Sequence, residues 1–250
     1  MPHSLPVPHN LTAALDGALQ RAVTVPSATV HAHVARVRRR HPEASPAQVV
    51  ALLEREYLLL LQGAGAAVGA AAATPAVGTG VALALTVGDA ASFLGVSAAF
   101  TLAVASVHGI EVEDDERRRA LLLASLLGES GARAVEDATA TGTLHVARAL
   151  LTRVPTGTVR RVNRTLTRRL LRHQLVRHTG VGLGRLAPFG IGAAVGVWGA
   201  RALGRTVVAG ARAAFGPPPA TFADHPVRSP APALPAPTLG STTPPRRGAR

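Results

Sequence analysis

Residues 63–93 read GAGAAVGAAAATPAVGTGVALALTVGDAASF. The run is apolar enough to leave water. Yet it is built mainly from Gly and Ala, which contribute little, because burial energy scales with apolar area. Thr74-Pro75-Ala76-Val77-Gly78 predicts a break in its middle. Helix on either side, about 46–73 and 79–107, predicts two apolar arms folded back as an antiparallel hairpin. From Leu58 to Ile110 the only formal charge is Asp89. Gly65, Gly69 and Ala73 recur every four residues, the small-residue spacing that lets helix backbones approach closely.

Working outward, the first arm has a complete start signal in Ser45-Pro46-Ala47-Gln48: Ser at the N-cap, Pro at the first helical position, Gln at the third. Upstream, an amphipathic helix is predicted from Leu11 to Val23. A second, capped by Ser27, ends at Arg38, Arg39 and Arg40, where cations suit the helix dipole. Downstream, EVEDDERRR places acids ahead of bases, so Asp114 or Asp115 caps a helix running to Leu127. Gly128 and Gly131 interrupt it. Further helices are predicted over 143–153, from Thr156 or Thr158 to His178, and from Pro188 to Phe215. No alternating strand pattern occurs, so the expected class is all-α: a helical bundle around the Gly/Ala-rich hairpin, with disordered tails. The expected divisions are a tail at 1–9, amphipathic helices at 10–44, the hairpin at 45–110, a mixed helical region at 111–215 and a Pro/Ala/Arg tail at 216–250. That last segment lacks periodicity and apolar content enough to offset ordering entropy.

Composition narrows the function classes. The chain has 250 residues, no Cys, one Trp and one Tyr. Disulfides, thiol nucleophiles and Cys-bound metals are excluded, and the scarcity of aromatics argues against base-stacking platforms. All 27 basic residues are Arg and the net charge is +13. The absence of Lys and the wealth of Ala, Gly, Pro and Arg fit a GC-rich bacterial genome. Distribution says more than the total: 13 of the 27 Arg lie between Asp137 and Asp224, an interval without a single acid. That asymmetry points to an anionic partner. The N-terminus shows no basic stretch followed by an apolar one, so no cleavable signal is expected and the chain is read as cytoplasmic-facing.

A membrane span needs about 20 apolar residues. The second arm reaches that length and the first falls near the lower limit; charges flank both outer ends and none marks the tip. This arrangement predicts a hairpin entering an inner membrane from the cytoplasm and returning. Asp89 opposes it, since a carboxylate at the bilayer centre costs about 2.5–3.5 kcal/mol. The same stretch also reads as the core of a soluble bundle. Asp89 and His108 are therefore the candidate intramembrane or buried polar residues, with a paired structural carboxylate the preferred identity for Asp89. In TGTVRRVNRTLTRRLLRHQLVRH, Arg160, Arg164, Arg168 and Arg172 form one stripe, extended by Arg161 and Arg169, beside an apolar stripe of Val159, Val162, Leu166 and Leu170. Such a basic amphipathic helix suits a surface of anionic lipids, at ~1 kcal/mol per Arg. Nucleic acid or an acidic protein is the rival partner for a soluble bundle, without a recognisable nucleic-acid module to support it. Gly192, Gly196, Ala200 and Gly204 make a second small-residue ribbon, but only 15 uncharged residues separate Arg185 from Arg201. This segment is expected to pack on the hairpin or insert partway with its Arg side chains snorkelling. Gly65, Gly69, Gly192, Gly196 and Gly204 are thus helix-packing candidates, toward this chain, a second copy of it or a membrane-protein partner.

Nothing points to an enzyme. Gly182-Leu183-Gly184-Arg185-Leu186-Ala187 has nucleotide-loop spacing but no strand before it, and a Walker loop needs Lys. No clustered His or carboxylates suggest a metal, and no cofactor or small-molecule substrate is indicated.

Two stretches resemble the EcsC family of bacterial proteins. One comprises Thr74-Pro75-x-x-Gly78, Asp89 and Ala105-Ser106-Val107-His108-Gly109-Ile110-Glu111-Val112-Glu113-Asp114 with Arg117–Arg119. The other is Arg185-Leu186-Ala187-Pro188-Phe189-Gly190-Ile191-Gly192-Ala193-Ala194-Val195-Gly196, followed by a helix ending at Phe215. The resemblance covers residues 46–215. It departs at Trp198, where the family often has Asn nearby, and at His108, where it usually has Tyr before the helix-ending Gly. It implies a helical, membrane-associated protein and supplies no active site.

Overall fold

The computed structural model describes residues 9–72, 79–139, 154–181, 191–223 and 227–228. Eight helices account for nearly all of them: α1 His9–Val23, α2 Ser27–Arg40, α3 Pro46–Ala72, α4 Thr79–Val107, α5 Asp115–Leu126, α6 Glu129–Thr139, α7 Thr156–Val181 and α8 Ile191–Phe215. The class is all-α. Among the described residues the one strand pairing is a two-residue parallel bridge between β1 (Ile110–Glu111) and β2 (Val227–Arg228). The helix expected at 143–153 and the Thr74–Gly78 break lie outside the described residues.

Local chemistry sets the helix starts. At α3, the Ser45 N–H donates to Gln48 Oε1 at 2.8 Å and the Gln48 N–H to Ser45 Oγ at 3.3 Å, a reciprocal capping box. At α5, Asp114 is the N-cap and accepts from the Arg117 N–H at 2.9 Å. Ser27 corrects the expectation. Pro26 holds the cap position of α2, and Ser27 is the first helical residue. The Ser27 hydroxyl accepts instead from Arg118. Arg118 is 9% exposed and spends its other donors on backbone, Nε on Val112 O at 2.6 Å and Nη1 on Val23 O and Val25 O at 3.0 Å each. One guanidinium thereby holds the α1–α2 turn against the segment entering α5.

The core forms where α4 and α5 meet the other helices. From Leu94 to Val107 the α4 helix is largely buried, and α5 is buried from Ala120 to Leu127 without a solvent face. A helix apolar on all sides belongs inside. On α7, Val159, Val162, Leu166 and Leu170 are all buried, so the apolar stripe meets protein, chiefly α5.

The principal partner of α3 is α8. The two run antiparallel: Glu54 meets Arg212, Leu58 and Leu61 meet Gly204, and Gln62 meets Arg201. The α3–α4 contact is made by Tyr57, whose ring stacks on Phe100 with centroids 4.5 Å apart. Its hydroxyl donates to Ser97 Oγ at 2.8 Å, and Ser97 Oγ donates onward to Phe93 O at 2.7 Å. Burial pushes the Tyr57 phenol far above its ordinary range, and the Ser97 hydrogen bond acts in the opposite sense.

The expectation of a structureless tail from residue 216 fails over its first part. Arg38 Cζ sits over the Phe222 ring, 3.9 Å from the ring centroid, and Val227–Arg228 pairs with Ile110–Glu111. One aromatic ring with a cation over its face anchors a segment that composition marked as featureless.

Candidate functional site

The antiparallel register brings the uncharged ends of three helices to one end of the bundle. Continued along α3 and α8, the Glu54–Arg212 and Gln62–Arg201 pairs set Ala66 about level with Trp198. The Tyr57–Ser97 and Tyr57–Phe100 contacts set Asp89 of α4 near the same level. Beyond it, α3 to Ala72, α4 back to Thr79 and α8 back to Ile191 carry no charge. At 1.5 Å per residue the α4 part extends ~15 Å past Asp89. Asp89 thus lies in helix α4 near the base of this uncharged end, rather than at its far tip; its side-chain surroundings fall outside the described residues.

Large hydrophobic side chains are exposed at the base and short of it. Trp198 is 79% exposed, Leu59 59% and Leu60 56%, the large exposed hydrophobics among the described residues. Arg201 and Arg205 are exposed on α8 within two turns of Trp198, and Arg201 donates to Gln62 Oε1 at 3.2 Å. Aromatic and cationic side chains interleaved at the edge of an apolar element make the usual interfacial composition. One described stretch, Ala90–Val107 of α4, has the length and composition to cross a membrane, but 56% of it is buried inside the protein. That half of α4 is occupied as core.

The sequence candidates separate into three places. Arg160, Arg161, Arg164, Arg168 and Arg169 of α7 are exposed, so the basic face is free while its apolar neighbour is not. Arg172 lies on the same helix with its side chain outside the described part. Gly204 is a close-approach point: a Cβ there would lie 2.7 Å from Leu58 Cδ2 and 2.9 Å from Leu61 Cδ1. Gly65 is buried on α3; Gly69, Gly192 and Gly196 lie on α3 and α8, with surroundings outside the described residues. His108 closes α4, far from the uncharged end. Its Nδ1–H donates to Val104 O at 2.9 Å, its ring tilts against Phe215 at 5.4 Å, and Nε2 is buried without a partner among the described residues. Gly109 follows with φ 69° because the turn needs it, and a Cβ there would meet Ala223 Cβ at 2.6 Å. Asp89 and His108, near the base and at the far end of α4 respectively, do not form one site.

Two features escaped sequence reading. Gly210 of α8 crosses α5 so closely that a Cβ would lie 2.2 Å from Ser125 O and 2.9 Å from Gly128 Cα. A cleft of about 740 Å³ opens between α6, α7 and α8, with Arg133, Arg169 and Arg205 on its walls alongside Glu129, Ser130 and Asp137. Among the described residues no group of His and carboxylates could hold a metal. Compared with known proteins, the chain matches no family model, no curated protein and no solved structure.

Proposed function

We propose that the protein is a membrane-associated accessory or interaction component on the cytoplasmic face of a bacterial inner membrane, held there by partial insertion of its uncharged end. The observation that carries this reading is Trp198, exposed at the level where the three uncharged helix ends begin, with Leu59 and Leu60 also exposed farther back on α3. An exposed Trp at the edge of an uncharged helical end is the placement that a membrane–water interface favours. The inserted helix length of ~15 Å is half of the ~30 Å hydrocarbon thickness, which favours entry into one leaflet over a full crossing. Burial of Ala90–Val107 within the bundle argues the same way. At this depth Asp89 sits near the headgroups, where the cost of a carboxylate is far lower than at the bilayer centre. The exposed Arg face of α7 supplies attraction to anionic lipid. The EcsC resemblance belongs to this proposal and agrees with it.

The single Trp makes the test direct. Trp198 emission should shift to the blue when vesicles containing anionic lipid are added, and lipids brominated near the headgroup should quench it more than lipids brominated at the chain ends. Unchanged emission, with the protein left behind on flotation, would return the chain to the alternative of a soluble bundle with an acidic or nucleic-acid partner.

A further inference from the structure

We infer that the cleft between α6, α7 and α8 is a binding site for a glycerol phosphate group, the chemistry shared by a phospholipid headgroup and a free phosphate ester. Three helices each contribute one arginine to its lining: Arg133 from α6, Arg169 from α7 and Arg205 from α8. None is committed elsewhere by a strong bond. Arg133 meets Glu129 at 3.4 Å as an exposed i,i+4 pair, a contact of small worth. Arg169 reaches Ser130 O at only 3.5 Å, the outer limit of a hydrogen bond. Arg205 makes no ion pair among the described residues. Guanidinium forks with spare donors on three walls of one cleft match the oxygens of a phosphate.

The acids define the rest of the ligand. Glu129 and Asp137 line the same cleft, so it is not a uniform cationic patch, and they accept hydrogen bonds from hydroxyl groups beside the phosphate. Its volume, about 740 Å³, falls within the usual range for small-molecule sites. Orientation favours a lipid as the source. Gly128 touches Thr206 and Ser125 touches Gly210, so α5 runs antiparallel to α8 and its C-terminal end points the way Trp198 does. Arg205 lies two turns from Trp198 on α8, ~10 Å behind it. A headgroup could therefore enter the open cleft while its chains stay in the bilayer. The lipid source rests on the membrane reading above; the cleft chemistry does not.

Two probes on the full chain separate these claims. Calorimetric titration with glycerol 3-phosphate should give one-to-one binding, weakened tenfold or more in the Arg169→Gln/Arg205→Gln double variant. Both side chains are exposed, so its circular dichroism should match the parent. Arg36→Gln/Arg39→Gln, exposed on α2, should leave this binding unchanged; an equal loss there would mean bulk charge and overturn the site. Absence of glycerol 3-phosphate binding, or binding indifferent to Arg169 and Arg205, also overturns it. Flotation with phosphatidylglycerol in phosphatidylcholine vesicles identifies the source. A loss of the phosphatidylglycerol preference larger in the double variant than in Arg160→Gln/Arg164→Gln assigns the lipid; an equal loss in the two overturns the lipid source. A parent that binds glycerol 3-phosphate but never floats keeps the site and removes the membrane reading.

Discussion

Arg212 of α8 donates Nε–H and Nη2–H to the two carboxylate oxygens of Glu54 on α3, and the partners differ sharply in exposure. The Glu54 side chain is 9% exposed and that of Arg212 66%. The hydrogen bond to Glu54, followed by its charge, raises the Arg212 pKa further. Removing the guanidinium strands a carboxylate already taken out of water, whereas removing the carboxylate charge frees a cation that water already reaches. Arg212→Ala should cost about 1–3 kcal/mol, the penalty for a buried polar group left unsatisfied. Glu54→Gln should cost less than ~1 kcal/mol, as for a partly solvated pair. Urea unfolding measures both, and the opposite ranking would disprove the asymmetry.

Glycine substitutions should rank by what the new methyl meets. Gly210→Ala drives a Cβ into the Ser125 carbonyl and the Gly128 backbone, neither of which can swing away. Gly204→Ala meets only the ends of the Leu58 and Leu61 side chains. Overpacking a rigid contact typically costs about 1–3 kcal/mol, and flexible neighbours lower that figure. Thermal unfolding should therefore find Gly210→Ala the more damaging.

The lone tyrosine allows an alkaline test. Its folded pKa is raised above the unfolded value of about 10. Its contribution to stability is therefore whole below pH ~10 and is lost as pH climbs through the folded value. Tyrosinate absorbance should stay flat near pH ~10 and rise only as helical circular dichroism is lost. A phenol titrating near 10 in the intact fold would show that the Phe100–Ser97 pocket does not seal it.

Arg160, Arg164 and Arg168 are exposed on α7, so their triple replacement by Gln should leave stability within about 0.5 kcal/mol. Vesicle affinity should fall by ~1 kcal/mol per residue, and the loss should shrink as salt rises. Salt-independent binding in both proteins would exclude the α7 face from the lipid surface.

How much of this was legible depended on the reach of each interaction. The Ser45–Gln48 box and the Asp114 cap close within three residues, so the sequence contains both partners side by side. The stripe of Val159, Val162, Leu166 and Leu170 was legible as a stripe. Periodicity cannot say whether lipid or α5 covers it, and α5 does. Arg118 was legible only as one of the bases in EVEDDERRR, yet two of its acceptors are carbonyls more than ninety residues away. The three-arginine cleft needs α6, α7 and α8 placed together, and no spacing encodes that. Ser27 misled because a good capping residue stood next to a proline that took the cap position.

The pairing of Glu54 with Arg212 also has a schedule. A ribosome makes α3 158 residues before the arginine that neutralises its buried acid. At ~5–20 residues per second that interval is on the order of 10 s. Throughout it, the face of α3 that will receive α8 stands open in the nascent chain. The Leu58 and Leu61 ridge waits for the helix that will set Gly204 against it. Building the distal half of that waiting helix from Gly and Ala keeps its stickiness low while synthesis finishes.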